Sequence, residues 1–125
     1  MPQSSEIRSY KDLIIWQEAK NLTVVIYKIT DKFPKSELYG LTSQIRRAAV
    51  SIPSNIAEGF GRKSKKEKIQ FLRISFGSGA ELETQLEISL ELGYLDKSDY
   101  NILENNLDKL MRMLNKAIWT LDNKH

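Results

Sequence analysis

Apolar residues recur at alternating intervals of four and three along most of this chain, the spacing that places one side chain per half-heptad on a single face of an α-helix. Ile15, Ala19, Leu22, Ile26, Ile29 and Phe33 form the first such seam. Asp12 is the expected cap at its start, and Phe33-Pro34 is the expected stop, because proline disfavours the helical conformation in the residue before it. The second seam, Leu38, Leu41, Ile45, Ala48 and Ile52, begins near Ser36, a suitable N-cap. It meets Pro53 and then resumes at Ile56 and Phe60. An interior proline removes one backbone hydrogen bond and clashes with the carbonyl four residues back, at about 3 kcal/mol in an ordinary helix. Because the apolar spacing survives it, the pattern predicts one helix kinked at Pro53 and ended by positive-φ glycines, Gly59 and Gly61.

The third helix opens with Ser64-Lys65-Lys66-Glu67, a capping box in which serine hydroxyl and glutamate carboxylate satisfy each other's backbone amides. It carries two seams. One runs Ile69, Leu72, Phe76, Gly79, Glu83, Leu86, Leu90, and the other Phe71, Ser75, Ser78, Leu82, Gln85, Ser89, Leu92. One face is expected in the core; the second, rich in small residues from Ser75 to Ala80, suits close approach of a helix from the same chain or from another subunit. Gly93 ends this helix and Asp96 or Ser98 caps the fourth, whose seam is Tyr100, Leu103, Leu107, Leu110, Leu114, Ala117 and Leu121, widened by Met111 and Ile118. Short connections at Pro34, Gly61 and Tyr94 imply antiparallel neighbours. The expected fold is therefore all-α, an antiparallel up-down-up-down four-helix bundle over residues 10–122, with 1–9 a flexible leader and 123–125 a frayed tail.

Composition limits the rest. With 125 residues, 41% of them hydrophobic, the chain has the size of one domain with a core that needs no metal or disulfide. It has no cysteine, which fits a reducing, cytoplasmic compartment. The N-terminus lacks a basic segment followed by an apolar run, and no stretch approaches about 18 apolar residues, so a soluble, unprocessed protein with no membrane partner is expected.

Charge is mild in total, +3, and uneven in placement. Arg62, Lys63, Lys65, Lys66 and Lys68 stand against Glu67 alone, whereas the segment from Glu81 to Asp108 holds eight acids against Lys97. In the expected topology the start of the first helix, the second connection and the end of the fourth helix share one end. Arg8, Lys11, Lys116 and Lys124 then join the run, with Trp16 and Trp119 nearby, and Glu91, Asp96 and Asp99 lie at the other end. A basic pole of this kind suits an anionic partner.

Catalytic chemistry finds little support. The one histidine is His125, the final residue, so no nucleophile has a histidine base beside it. The Glu-x-x-His pairs of carboxylate-bridged metal bundles are absent, and Gly59-Phe60-Gly61 lacks the spacing and preceding strand of a phosphate loop. No enzyme activity, metal or cofactor is expected. Arg47, Ser51, Asn55 and Glu58 lie on one stripe of the second helix, where they either hold the kink by hydrogen bonding to one another and to backbone loosened by Pro53 or form a ligand site. Glu83, on a buried seam, is expected to pair with a cation such as Arg47 or Arg73, because an unpaired buried carboxylate is too costly. The run from Arg62 to Lys68 opens a helix whose free amides also attract anions, which points to phosphate contacts; no interleaved aromatic platform suggests base-specific reading.

Several stretches carry a family resemblance. Tyr10-Lys11-Asp12-Leu13 with Trp16 and Ala19, Phe33-Pro34 with Glu37, the run QIRRAAVSIPSNIAEGFGR, Gly77-Ser78 with Glu81, and Leu92-Gly93-Tyr94 together resemble the four-helix bundle proteins encoded by intervening sequences within bacterial 23S rRNA genes. The likeness runs from about Tyr10 to Leu121, with one departure at Ser75, where many members would have alanine. That family is also similar to the accessory variability determinant of diversity-generating retroelements, a bundle that assembles as a homopentamer, binds nucleic acid and contacts a reverse transcriptase. The resemblance implies a homo-oligomer, a pentamer, and a nucleic-acid-binding role. The expected contact residues are Arg46, Arg47, Arg62, Lys63, Lys65, Lys66 and Lys68, with Arg46 and Arg47 as contact or interface residues. The alternative is an assembly or adaptor module whose basic pole docks an acidic protein partner.

Overall fold

The structure, a computed structural model, describes residues 6–123. The first five residues of the expected leader, and Lys124 and His125 at the tail, lie outside the described residues. Four helices follow one another as α1 (Ile14–Thr30), α2 (Leu41–Phe60), α3 (Lys65–Glu91) and α4 (Lys97–Asp122), with single 3-10 turns at Tyr10–Asp12 and Lys35–Glu37.

Each helix faces inward along its predicted seam, and α3 along both of its seams, so that Ser75, Leu82, Gln85 and Ser89 of the second are buried within the same chain. Ala19, Leu22 and Ile26 of α1, Ile45, Ala48, Ile52 and Ile56 of α2, Leu82 and Leu86 of α3, and Leu103, Leu107, Leu110 and Leu114 of α4 are all buried in one core. Seam positions near helix ends are wetter: Leu38 and Phe60 are exposed. α1 packs on α2 and α4, α3 packs on α2 and α4, and the diagonal pairs do not meet among the described residues. Neighbours run in opposite directions. Thr23 meets Ala49 and Thr30 meets Arg46 across α1–α2, while Lys68 meets Phe60 and Ser78 meets Ser51 across α2–α3. Glu18 meets Lys109 on α4, and Lys32, just past α1, meets Asp99 on α4.

α2 passes Pro53 as one uninterrupted helix. Proline has no amide to give to the Ala49 carbonyl, and the hydroxyl of Thr23 on α1 stands 3.1 Å from that oxygen while also lying 2.8 Å from the Ala19 carbonyl. Wholly buried Ser75 on α3 donates to the Ile52 carbonyl at 3.0 Å, and Asn55 donates to the Ser51 carbonyl at 2.8 Å. The proline is thus tolerated because hydroxyl donors from both neighbouring helices attend the adjacent backbone. The alanine expected at position 75 in many relatives has no such donor.

The helix ends correct several local expectations. Asp12 does not cap α1; its carboxylate accepts from the amides of Arg8 and Ser9, closing a capping box on the preceding 3-10 turn, and those bonds hold its pKa below the ordinary value. Ser36 lies inside the second 3-10 turn, and α2 starts later, after Gly40, where Glu37 Oε1 accepts from the Leu41 amide at 3.1 Å. Ser64 caps α3 through the Glu67 amide, one half of the expected box. Asp96 caps α4 through the Asp99 amide.

Gly59 and Gly61 do not take positive φ. Gly61 is right-handed, and Gly59 is buried in α2 where a Cβ would stand 3.0 Å from Phe71 Cβ, so its lack of a side chain lets α3 approach. The left-handed glycine is Gly93, with φ of 79°, just beyond the C-cap of α3.

Candidate nucleic-acid interface

The turn between α2 and α3 carries five cations, two of which hold the end of α2. Arg62 pairs with Glu58 one helical turn back and lies over the Phe71 ring at 4.8 Å. Lys68 donates to the Phe60 carbonyl at 3.0 Å and lies over the Phe60 ring. Both therefore brace the C-terminal turn of α2, where the helix dipole favours a positive charge. Lys63, Lys65 and Lys66 are exposed at the surface. Antiparallel topology brings Arg8 and Lys11 and, on α4, Lys116 to the same end, all exposed. Trp16 packs edge-on to Tyr10 at 5.2 Å, and Trp119 stands 66% exposed.

Arg46 and Arg47 are not part of this cluster. Arg46 lies in the second turn of α2, near the opposite end, where its guanidinium donates to the Thr30 hydroxyl at 3.0 Å and the Tyr27 carbonyl at 3.3 Å and stacks over the Tyr27 ring at 4.6 Å. It closes the C-terminus of α1, with Asp31 at 3.8 Å. Arg47 points to a shallow groove between α2 and α3 lined also by Gln44, Ala48, Ser51, Ser78 and Glu81.

The polar stripe on α2 is divided in the same way. Asn55 donates to the Ser51 carbonyl and approaches its hydroxyl at 3.0 Å, and Ser51 joins Ser78 of α3 at 2.8 Å. Glu58 is turned toward Arg62. Glu83 departs most from expectation. It does not meet Arg47 or Arg73 but stands beside Glu104 of α4. Burial, and then the Glu83 charge and hydrogen bond, push the Glu104 carboxyl above its ordinary pKa, with Asp108 and Glu87 adding to the effect. Burial first, followed by Glu104, Glu87 and Glu83, likewise raises the Tyr100 phenol. The acid excess of this segment is visible in the sequence; that α4 lays its acids against those of α3 follows from the register between the helices.

A contact that sequence pattern missed lies at the other end. Tyr94 donates to Glu37 Oε2 at 3.0 Å across 57 residues, and the Phe33 and Tyr94 rings stand 5.8 Å apart. Glu37 therefore joins the α1–α2 and α3–α4 connections while also capping α2, and its hydrogen bond raises the Tyr94 pKa. The visible signal was that Phe33-Pro34, Glu37 and Leu92-Gly93-Tyr94 all belong to the motif stretches. This end is not simply acidic, since Lys32 pairs with Asp99 at 3.0 Å and Lys35 and Lys97 are close in sequence.

Among the described residues no group of three or more His, Cys, Asp or Glu side chains is arranged to hold a metal ion, and no helix is long and apolar enough to cross a membrane.

Comparison with known proteins agrees with this architecture. The sequence pattern of the 23S rRNA-intervening sequence proteins matches residues 11–116, and the chain belongs to that family. A crystal structure of a protein of unknown function from the S23 ribosomal protein family of Bacteroides thetaiotaomicron superposes with a TM-score of 0.77 at 23% identity, covering 84% of this chain and 98% of the other. That likeness establishes the shared fold. No curated protein matches the chain.

Proposed function

We propose that this member of the 23S rRNA-intervening sequence protein family is a non-enzymatic bundle that binds the phosphate backbone of RNA or DNA and works as a homo-oligomer. The observation that carries the reading is the exposure of Lys63, Lys65 and Lys66 at one end of the rod, while Arg62 and Lys68 are engaged in bracing α2. Three exposed lysines beside the amides of a helix start suit phosphate oxygens and read no sequence. Their action is electrostatic. Affinity for a generic duplex or single strand should therefore fall steeply between low and high salt, and an affinity that ignores salt would overturn the reading.

The two long sides of the bundle support assembly. The α1–α2 side exposes Val24, Tyr27 and Val50 beside Arg46, and the opposite α3–α4 side carries Glu83, Glu87, Glu104 and Asp108. A cation and apolar side chains on one side and carboxylates on the opposite side suit a head-to-tail contact that closes into a ring, with all basic poles on one face. The pentamer implied by the retroelement resemblance is the specific form. Light scattering on the purified protein tests it: a clean species of 14.4 kDa removes the ring. A pull-down from nuclease-treated lysate separates nucleic-acid binding from docking on an acidic protein, since only the second survives the nuclease.

A further inference from the structure

A cavity of about 270 Å3 opens at the basic end, where the start of α1, the end of α2, the start of α3 and the end of α4 come together. Ile56, Phe60, Leu72, Ala117 and Leu121 contribute its walls, and among the described residues Lys68 is the one charged residue that lines it, chiefly through its methylene stem. Apolar walls of this kind satisfy no hydrogen bond, so whatever enters must bury hydrocarbon. Cavities of roughly 150 Å3 lined by Leu, Ile and Phe already stay dry and take up small hydrocarbons.

Lys68 selects the other end of the ligand. Its ammonium donates to the Phe60 carbonyl at 3.0 Å, a neutral acceptor that leaves the positive charge uncancelled and two further N–H donors on the same nitrogen. The exposed Lys63, Lys65 and Lys66 on the same turn add to the positive potential around it. A carboxylate pairs with such an ammonium at short range and brings a single charge to match it.

We propose that this cavity binds a medium-chain aliphatic carboxylate, with the chain between Ile56, Leu72 and Leu121 and the head group at the mouth, on the Lys68 ammonium. Size limits the class. Pockets for drug-sized ligands begin near 300 Å3, so this one suits a single chain of about eight carbons rather than a two-chain lipid. Gly59 also lines the cavity, and a side chain there would meet Phe71, so the same glycine that seats α3 against α2 borders the opening.

Calorimetric titration of the full chain with hexanoate, octanoate and decanoate tests the proposal. Affinity should rise about fourfold per added methylene until the cavity is full. Octanoate should bind more tightly than octanol, Lys68→Met should erase that preference, and Lys68→Arg should retain it. Ala117→Leu narrows the cavity without touching the charge; it should weaken both ligands while leaving the circular dichroism spectrum unchanged. The acyl chain of a membrane lipid has the same chemistry, and sedimentation with anionic phospholipid vesicles separates the two sources. Vesicle binding without octanoate binding overturns the proposal, as do affinities independent of chain length or wild-type binding by Ala117→Leu.

Discussion

The two ends of this bundle are built from similar residue types and do different things with them. At the α1–α2 and α3–α4 connections, charged and aromatic groups are tied to one another: Glu37 holds both the Leu41 amide and the Tyr94 hydroxyl, Arg46 closes α1, and Lys32 meets Asp99. At the α2–α3 turn two cations brace one helix end, and Lys63, Lys65 and Lys66 remain exposed beside an apolar cavity. A cation with a carbonyl, a ring and a carboxylate around it fixes the chain. Exposed lysines on a turn place positive charge at the surface, where an arriving anion meets it.

The comparison fails most visibly if the open end does not bind. Replacing Lys63, Lys65 and Lys66 with glutamine should weaken nucleic-acid binding by about tenfold or more at low salt and reduce the log–log salt slope by about three, as measured by fluorescence anisotropy across a salt series. Changing Lys32, Lys35 and Lys97 in the same way should leave both quantities nearly unchanged. Equal losses in the two triple variants would erase the distinction between the ends.

The tied end should answer in stability instead. Arg46→Met removes two hydrogen bonds from a charged group and the stacking on Tyr27, so denaturant unfolding should show a loss of about 2 kcal/mol with nucleic-acid affinity preserved. A drop in affinity at unchanged stability would return Arg46 to the contact surface. Glu37→Ala should cost somewhat less, about 1–2 kcal/mol, because one cap and one hydroxyl partner are lost together. Its signature is a lower melting temperature, with the salt slope of binding unmoved.

The smallest effect belongs to the acidic side between the ends. The Glu104 carboxyl has a folded-state pKa above its unfolded value, so the folded chain holds more protons than the unfolded one between the two. Stability from this group therefore falls as pH rises from the ordinary carboxylate range through the raised pKa. Glu104→Gln should melt higher than the parent at pH 7, with the gap closing toward pH 4. A gap that widens on acidification would mean that Glu104 is held by a cation.

Much of this molecule can be read from its pattern. The seams on α1, α2 and α4 coincide with the buried core, because burial of one helical stripe is a local consequence of residue spacing. Asp96 at the start of α4 and Gly93 at the end of α3 were legible for the same reason: each acts within one turn of its own backbone. Asp12 and Ser36 misled because 3-10 turns displaced the helix starts, and Gly59 misled because close packing, rather than backbone freedom, explains it.

The candidate site was legible as a composition and not as an arrangement. Seven cations were nominated, and only the fold distributes them: Arg46 to the far end, Arg47 to the α2–α3 groove, Arg62 and Lys68 to the end of α2, and three lysines to the exposed turn. Glu83 shows the limit most sharply. A single helix can say that it lies on a seam, but whether it meets Arg47 or Glu104 depends on which helix that seam faces.

By itself the sequence determined four helices, their inward faces and the concentration of charge at one turn, since each depends on spacing within about one heptad. The tertiary structure alone decided what α2 does at Pro53. The Thr23 and Ser75 hydroxyls that attend its backbone come from different helices, 30 residues before the proline and 22 after it. No local rule places them there. Antiparallel packing does, by bringing donors on α1 and α3 to the turn of α2 where proline has removed one.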